Sequence, residues 1–215
     1  MATPQVASSE PTVAATPAQI PSSSSTTSAV PPPTVPAASP SSSSPTQATE
    51  IQIPEADITW IRVLHQGSIL IDAESSGPIG LTKSPRCELK GQPCYDPPSL
   101  TKVAWINGAR PSVPSNKTVY PIGHSNRFGG DGVFTRLAVV QAGDLIDLTT
   151  KAGVFNYRVT KIEKLSFAEV ANPNSDFWQP VGGQIKVATC DIAPGAGSYD
   201  GNFVVTAMLE SAKAL

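Results

Sequence analysis

Two side chains far apart in the chain form the first chemical possibility. His124 closes the run Val119-Tyr120-Pro121-Ile122-Gly123-His124-Ser125, and Cys190 closes Ile185-Lys186-Val187-Ala188-Thr189-Cys190-Asp191. Each sits where a short β-like run gives way to a loop. The chain holds only two histidines and three cysteines, so this pairing has few ways to arise by accident. A thiol attacks an amide carbonyl as the thiolate, and a neighbouring imidazolium stabilises that thiolate. The same imidazolium can protonate a leaving amine, and neutral imidazole can deprotonate an incoming one. The tetrahedral oxyanion then requires a donor, either an Arg or a backbone N–H.

The elements that must position this pair read as strands. Side chains alternate along a strand, so Lys186, Ala188 and Cys190 share one face, while Ile185, Val187 and Thr189 share the other. Tyr120 and Ile122 lie on the His124 side by the same rule. If the two runs are neighbours, both functional groups emerge at one rim. Expected strands are Ile58–Val63, Ile69–Ala73, Lys102–Ile106, Thr118–Ile122, Leu145–Leu148, Phe155–Ile162, Gln184–Thr189 and Phe203–Leu209, rich in Val, Ile, Thr and aromatics. Turn residues separate them, at Asn107-Gly108, Gly129-Gly130-Asp131-Gly132, Gly182-Gly183 and Asp200-Gly201. The pattern is all-β, a closed barrel or a sandwich, rather than a parallel α/β sheet. Helix is confined to short turns near Val133–Val140 and Phe167–Ala171.

Composition divides the chain near residue 50. Residues 1–50 contain no Lys, Arg, Cys or aromatic residue and consist largely of Ser, Thr, Ala and Pro. Such a segment cannot bury enough apolar area to offset its ordering entropy, and its prolines favour extended polyproline II. It is expected to be a disordered linker. Residues 51–215 are long enough for one domain with a sizeable core. All 15 Lys and Arg lie there, with all of the 17 Asp and Glu except Glu10 and Glu50, so the two signs nearly balance. No basic stripe interleaved with aromatics is present, which argues against nucleic acid as a partner. No apolar run approaches the roughly 20 residues that span a bilayer. A basic segment followed by an apolar one, the mark of a secretory signal, is also not visible. Neither a metal nor a cofactor is expected.

Taken together these motifs resemble the sortases, cysteine transpeptidases of Gram-positive cell surfaces. The family's His motif ends in Gly-His, here Ile122-Gly123-His124-Ser125. Its Cys motif is Thr-Leu-x-Thr-Cys, here Lys186-Val187-Ala188-Thr189-Cys190, in which Thr-Cys is kept and the first Thr and the Leu are not. Val133-Phe134-Thr135-Arg136-Leu137 and Ala142-Gly143-Asp144 are similar to the segment after the sortase His, and Tyr157–Ile162 to the strand that follows. Tyr95-Asp96-Pro97-Pro98 followed by Val103-Ala104-Trp105 resembles the actinobacterial class F group. The resemblance covers about residues 55–210.

What the resemblance implies is specific. It implies an eight-stranded β-barrel and an exported enzyme at the outer face of the membrane, held by an anchor these residues do not show. Such an enzyme cleaves a sorting signal of the Leu-Pro-x-Thr-Gly type between Thr and Gly, forms a thioacyl-enzyme and passes the acyl group to a peptidoglycan amine. Cys190 and His124 take the catalytic roles, with Thr189 beside the thiol. Many sortases place an Arg just before the last strand's apolar run, where this chain has Asn202. Asn donates a hydrogen bond but carries no charge, so the charge must come from elsewhere. Arg136 is the favoured source and Arg127 the other. Asp191-Ile192 also departs from the Gly-Gly frequent in class F. Cys87 and Cys94, with six residues between them, suit a small disulfide loop in an exported protein, the alternative being two free thiols. Two other functions stand beside the transpeptidase: a sortase-fold hydrolase or inactive relative, and a non-catalytic wall-associated β-domain.

Overall fold

Runs rich in Val, Ile and Thr become strands whose one face is buried and whose other face is wetter, as β-branched residues on a pleated surface favour. The computed structural model describes residues 51–81, 95–106, 108–127, 130–192 and 199–215. In chain order the strands are β1 (Ile58–His65), β2 (Ser68–Ile79), β3 (Val103–Ile106), β4 (Thr118–Val119), β5 (Pro121–Ile122), β6 (Asn126–Arg127), β7 (Gly130–Asp131), β8 (Leu145–Thr150), β9 (Gly153–Leu165), β10 (Gln184–Ile192) and β11 (Tyr199–Ala214). All eight expected strands are found, one of them broken at Tyr120 into β4 and β5. The tail before residue 51 and the cysteines Cys87 and Cys94 lie outside the described residues.

The main sheet runs β11-β9-β8-β1-β2-β3, then the β4/β5 strand, then β10, and β10 pairs with β11 to close it. With β4 and β5 taken as one interrupted strand, the result is a closed eight-stranded barrel. Closure removes the free edges that an open sheet would expose. Most neighbours are antiparallel, but β2 with β3 and β10 with both β4 and β5 are parallel. A further antiparallel pair, β6 with β7, has strands of two residues each, too short for any alternation to show in the sequence.

The barrel interior is filled from every long strand. Ile61, Val63, Ile146, Leu148, Phe155, Ile185, Val187 and Val205 are fully buried there. Burying such side chains contributes roughly 1.5–3 kcal/mol each, before ordering entropy is subtracted. A second apolar cluster lies on the opposite faces of β5 and β10. It joins Ala104, Ile106, Tyr120, Ile122, Phe177, Ala188 and Val204. Helix is indeed short. A 3-10 turn spans Thr135–Val139, and the helix α1 (Phe167–Ala171) starts from a capping box in which Ser166 and Glu169 satisfy each other's backbone N–H. A second 3-10 turn, Asp176–Trp178, has no helical periodicity to announce it.

His65, which reads from sequence as a surface turn residue, is instead half-buried against Asp144. Its Nδ1 lies 2.8 Å from the Asp144 Oδ2. Asp144 also accepts from the Gln141 N–H at 2.7 Å and the Gln66 N–H at 3.3 Å, so one carboxylate ties the β1–β2 turn to the entry of β8. Burial pushes this carboxyl up, but the hydrogen bonds from Gln141, His65 and Gln66 outweigh it and hold it below the ordinary range. A depressed carboxyl contributes stability above its ordinary value and loses it as pH falls through the lower native value. Asp144→Asn is therefore expected to cost about 1–3 kcal/mol near neutral pH, with the gap to wild type narrowing in acid below the ordinary carboxyl range. Urea unfolding at a series of pH values measures both.

Candidate active site

The parallel pair β5–β10 decides where the two reactive side chains meet. Ile122 stands opposite Ala188, and the Gly123 N–H donates to the Ala188 carbonyl at 3.2 Å. Parallel neighbours finish at the same end of a sheet, and residues in register share a face. Two residues further along the two chains come His124 and Cys190, so both reach one rim on the face of Ile122 and Ala188.

Backbone packing fixes His124. Its carbonyl accepts from the Phe134 N–H at 2.8 Å, and the Val133 N–H donates to the Leu100 carbonyl at 2.6 Å. The segment 132–134 thus lies directly along the His124 strand end. Two glycines make that approach possible. A Cβ on Gly132 would overlap the backbone carbonyl oxygens of His124 and Ser125, and one on Gly123 would collide with the side chains of Val133 and Phe134. The Gly of the Gly-His motif therefore has a steric reason.

The imidazole is buried, and its Nε2 lies 2.8 Å from the Pro97 carbonyl and 3.7 Å from an Asp96 carboxylate oxygen. A carbonyl only accepts, so Nε2 is the donor in this contact and Nδ1 is the ring's other nitrogen. Tyr95-Asp96-Pro97 thereby belongs to the site. In the sequence these residues carry only a family likeness; nothing in their pattern announces a partner more than 25 positions away.

Cys190 is half-buried near the end of β10, directly across from Asn202 on β11. Cross-strand partners project on one face, so the Asn202 amide neighbours the thiol. Thr189 alternates away, opposite Phe203, and is buried with its hydroxyl lacking a hydrogen-bond partner among the described residues. The Ser125 hydroxyl, next to His124, is in the same condition. Arg136 is exposed on the 3-10 turn that follows Phe134, and makes no hydrogen bond or ion pair with the described residues. Arg127 is carried by β6, its backbone paired with Gly130. Arg158, by contrast, is taken up by two hydrogen bonds from its Nη2 to the carboxylate of Glu210 and one from Nη1 to the Gly143 carbonyl. Among the described residues no group of three or more His, Cys, Asp or Glu could hold a metal ion. A thiol, an imidazole and an amide toward one rim are group types that acyl transfer can use.

Comparison with known proteins points the same way. The family model for the sortase domain matches residues 91–210. No curated protein sequence matches the chain. Among solved structures, sortase A of Listeria monocytogenes superposes with a TM-score of 0.50 at 20% identity, covering 75% of this chain and 92% of that one. Sortase C of Streptococcus pneumoniae gives 0.50 at 14% identity over 74% of this chain and 68% of that one. Sortase C1 of Streptococcus suis gives 0.50 at 12% identity over 73% and 74%. At these identities the likeness is one of fold.

The close approach at Gly132 generates a test of how His124 is held. Gly132→Ala puts a methyl against backbone oxygens that no rotamer change can move. It is expected to cost about 2 kcal/mol or more, a fall in melting temperature of roughly 4–8 °C. Gly143→Ala, with open space around its Cβ but a positive φ of 94°, should cost only about 1 kcal/mol and leaves the rim alone. Differential scanning calorimetry of the two variants reads the difference.

Proposed function

Because the chain belongs to the sortase family, we propose that it is a cysteine transpeptidase with Cys190 as nucleophile and His124 as acid–base partner. The observation that supports this reading most is the parallel register of Ile122 with Ala188, which carries His124 and Cys190 to the same rim.

The proposed chemistry follows from the groups in place. The Cys190 thiolate attacks the Thr carbonyl of a Leu-Pro-x-Thr-Gly-like signal. As the Thr–Gly C–N bond breaks, imidazolium His124 gives its proton to the departing amine, leaving a thioacyl-enzyme and neutral imidazole. An amine of peptidoglycan or its precursor then attacks the thioester. Neutral His124 takes that amine's proton, and the Cys190 thiolate leaves. The Pro97 carbonyl on Nε2 keeps the ring's orientation through both half-reactions. The enzyme works at the surface of a Gram-positive cell, where such signals are processed; no helix among the described residues is long and apolar enough to cross a membrane. The class F subgroup is proposed from Tyr95-Asp96-Pro97-Pro98 and Val103-Ala104-Trp105, with Asp191-Ile192 standing against it.

The oxyanion is assigned to two donors. Arg136 supplies the charge; its planar guanidinium offers several N–H donors and is engaged by no described carboxylate. Asn202, across from Cys190, adds a neutral hydrogen bond. Losing one oxyanion donor typically lowers turnover by about two to three orders of magnitude. Arg136→Ala is expected to fall in that range and Asn202→Ala to lose less. Near-normal turnover of Arg136→Ala removes the arginine from the mechanism.

Mass spectrometry of the protein incubated with Leu-Pro-x-Thr-Gly-type peptides tests the reaction itself. A thioacyl adduct on Cys190 is expected. Cys190→Ala should abolish both adduct and cleavage while keeping the melting temperature, because one sulfur at a strand end contributes little packing. His124→Ala should also abolish cleavage. Cleavage by Cys190→Ala near the wild-type rate overturns the reading.

A further inference from the structure

The segment before β3 brings a carboxylate to His124. An Asp96 carboxylate oxygen lies 3.7 Å from Nε2, and the two side chains are only 17% and 11% exposed. That distance is too long for a hydrogen bond. The ring's direction comes instead from the Pro97 carbonyl, 2.8 Å from the same nitrogen. One backbone acceptor and one charge therefore face one edge of the imidazole. The first fixes where the ring points, and the second acts on the charge the ring carries. A carboxylate so far removed from water is costly unless a positive charge stands beside it.

Local sequence holds Asp96 in place. A proline restricts the residue before it to extended backbone, and Pro97-Pro98 fix their own φ. On the N-terminal side the Tyr95 ring packs on Trp178 with 5.8 Å between centres. On the C-terminal side the Ser99 hydroxyl accepts from the N–H groups of Thr101 and Lys102, each at 3.2 Å. The Leu100 carbonyl then accepts from the N–H of Val133, which belongs to the segment lying along His124. Asp96 is thus bracketed by contacts that do not involve its own carboxylate. Removing its charge should leave the segment, and with it the Pro97 carbonyl, where they are.

We propose that Asp96 is a positioning residue that acts through His124: its carboxylate compensates the imidazolium charge that stabilises the Cys190 thiolate and then supplies the departing amine's proton. This rests on the transpeptidase reading. No bond forms or breaks at Asp96, and no proton passes to it. Charges in partly buried surroundings are screened less than at the surface, and a carboxylate within about 4–6 Å favours a cationic neighbour by roughly tenfold or more. The contribution falls on states in which the ring is charged, not on the binding of the peptide. Its loss therefore lowers kcat and leaves KM in place.

Asp96→Asn keeps the shape of the side chain and removes its charge. With a Leu-Pro-x-Thr-Gly-type peptide, kcat is expected to fall about tenfold with KM within about twofold of wild type. Alkylation of Cys190 by iodoacetamide near neutral pH, which needs no peptide, should slow by about the same factor, because less of the thiol stands as thiolate. Asp96→Glu restores the charge on one further methylene and should bring both rates to within about threefold of wild type. Asp96→Ser is expected to repeat the losses of Asp96→Asn and serves if that variant does not fold. A residue that only filled space would tolerate Asn best and Glu worst, and that pattern overturns the proposal. An unchanged kcat in Asp96→Asn, where the wild type cleaves the peptide, overturns the role of Asp96 and leaves the transpeptidase reading standing. If the wild type forms no adduct with any such peptide, the transpeptidase reading fails. Alkylation then decides the pairing: equal rates for wild type and Asp96→Asn overturn it, and a slower Asp96→Asn supports it.

Discussion

The parallel pairing of β5 with β10 is the constraint on which the remaining structure of the site depends. An antiparallel neighbour would have put the two strand ends at opposite poles of the barrel, with the imidazole and the thiol separated by the length of a strand. Parallel strands cannot be joined by a tight turn. The long excursion from β5 to β10, through β8 and β9, is the connection this geometry requires. The same excursion supplies the Gly132–Phe134 segment that clasps His124 and the Asp176–Trp178 turn whose carbonyls hold Lys186.

Closure of the sheet gives that pairing its rigidity. β10 is held on one flank by β4 and β5 and on the other by β11, which itself runs along β9. A strand paired on both sides has its backbone groups satisfied by neighbours and cannot shift register without turning its apolar set away from the core. The alternation on β10 then separates two tasks. Ile185 and Val187 face the barrel interior and stabilise the fold, whereas Lys186, Ala188 and Cys190 face the second apolar cluster and the rim.

His124 illustrates how a polar side chain is held by backbone groups. Its position comes from backbone groups, namely the Phe134 N–H on its carbonyl and the Pro97 carbonyl on its ring, with the Asp96 carboxylate slightly further off. Backbone partners cannot rotate away as a side chain can, so they select one tautomer at little entropic cost. The cost falls on the sequence, which must keep glycine at 123 and 132, where any Cβ would push the clasping segment off.

Much of this was legible from the residues alone. Period-two alternation and β-branched runs fixed eight strands, and a short helical turn was legible near Phe167–Ala171, because these are local preferences written in nearest neighbours. The rule that Cys190 and His124 would share a rim if their strands were adjacent was likewise local. Adjacency itself was not, since strand order and direction are set by which faces pack across the closed barrel. The contacts to Asp96 and Pro97, the burial of Lys186 under a turn with no helical period, and the capture of His65 by Asp144 all join residues distant in sequence. A polar side chain's partner depends on what tertiary packing brings within about 3 Å, and no spacing along the chain encodes that.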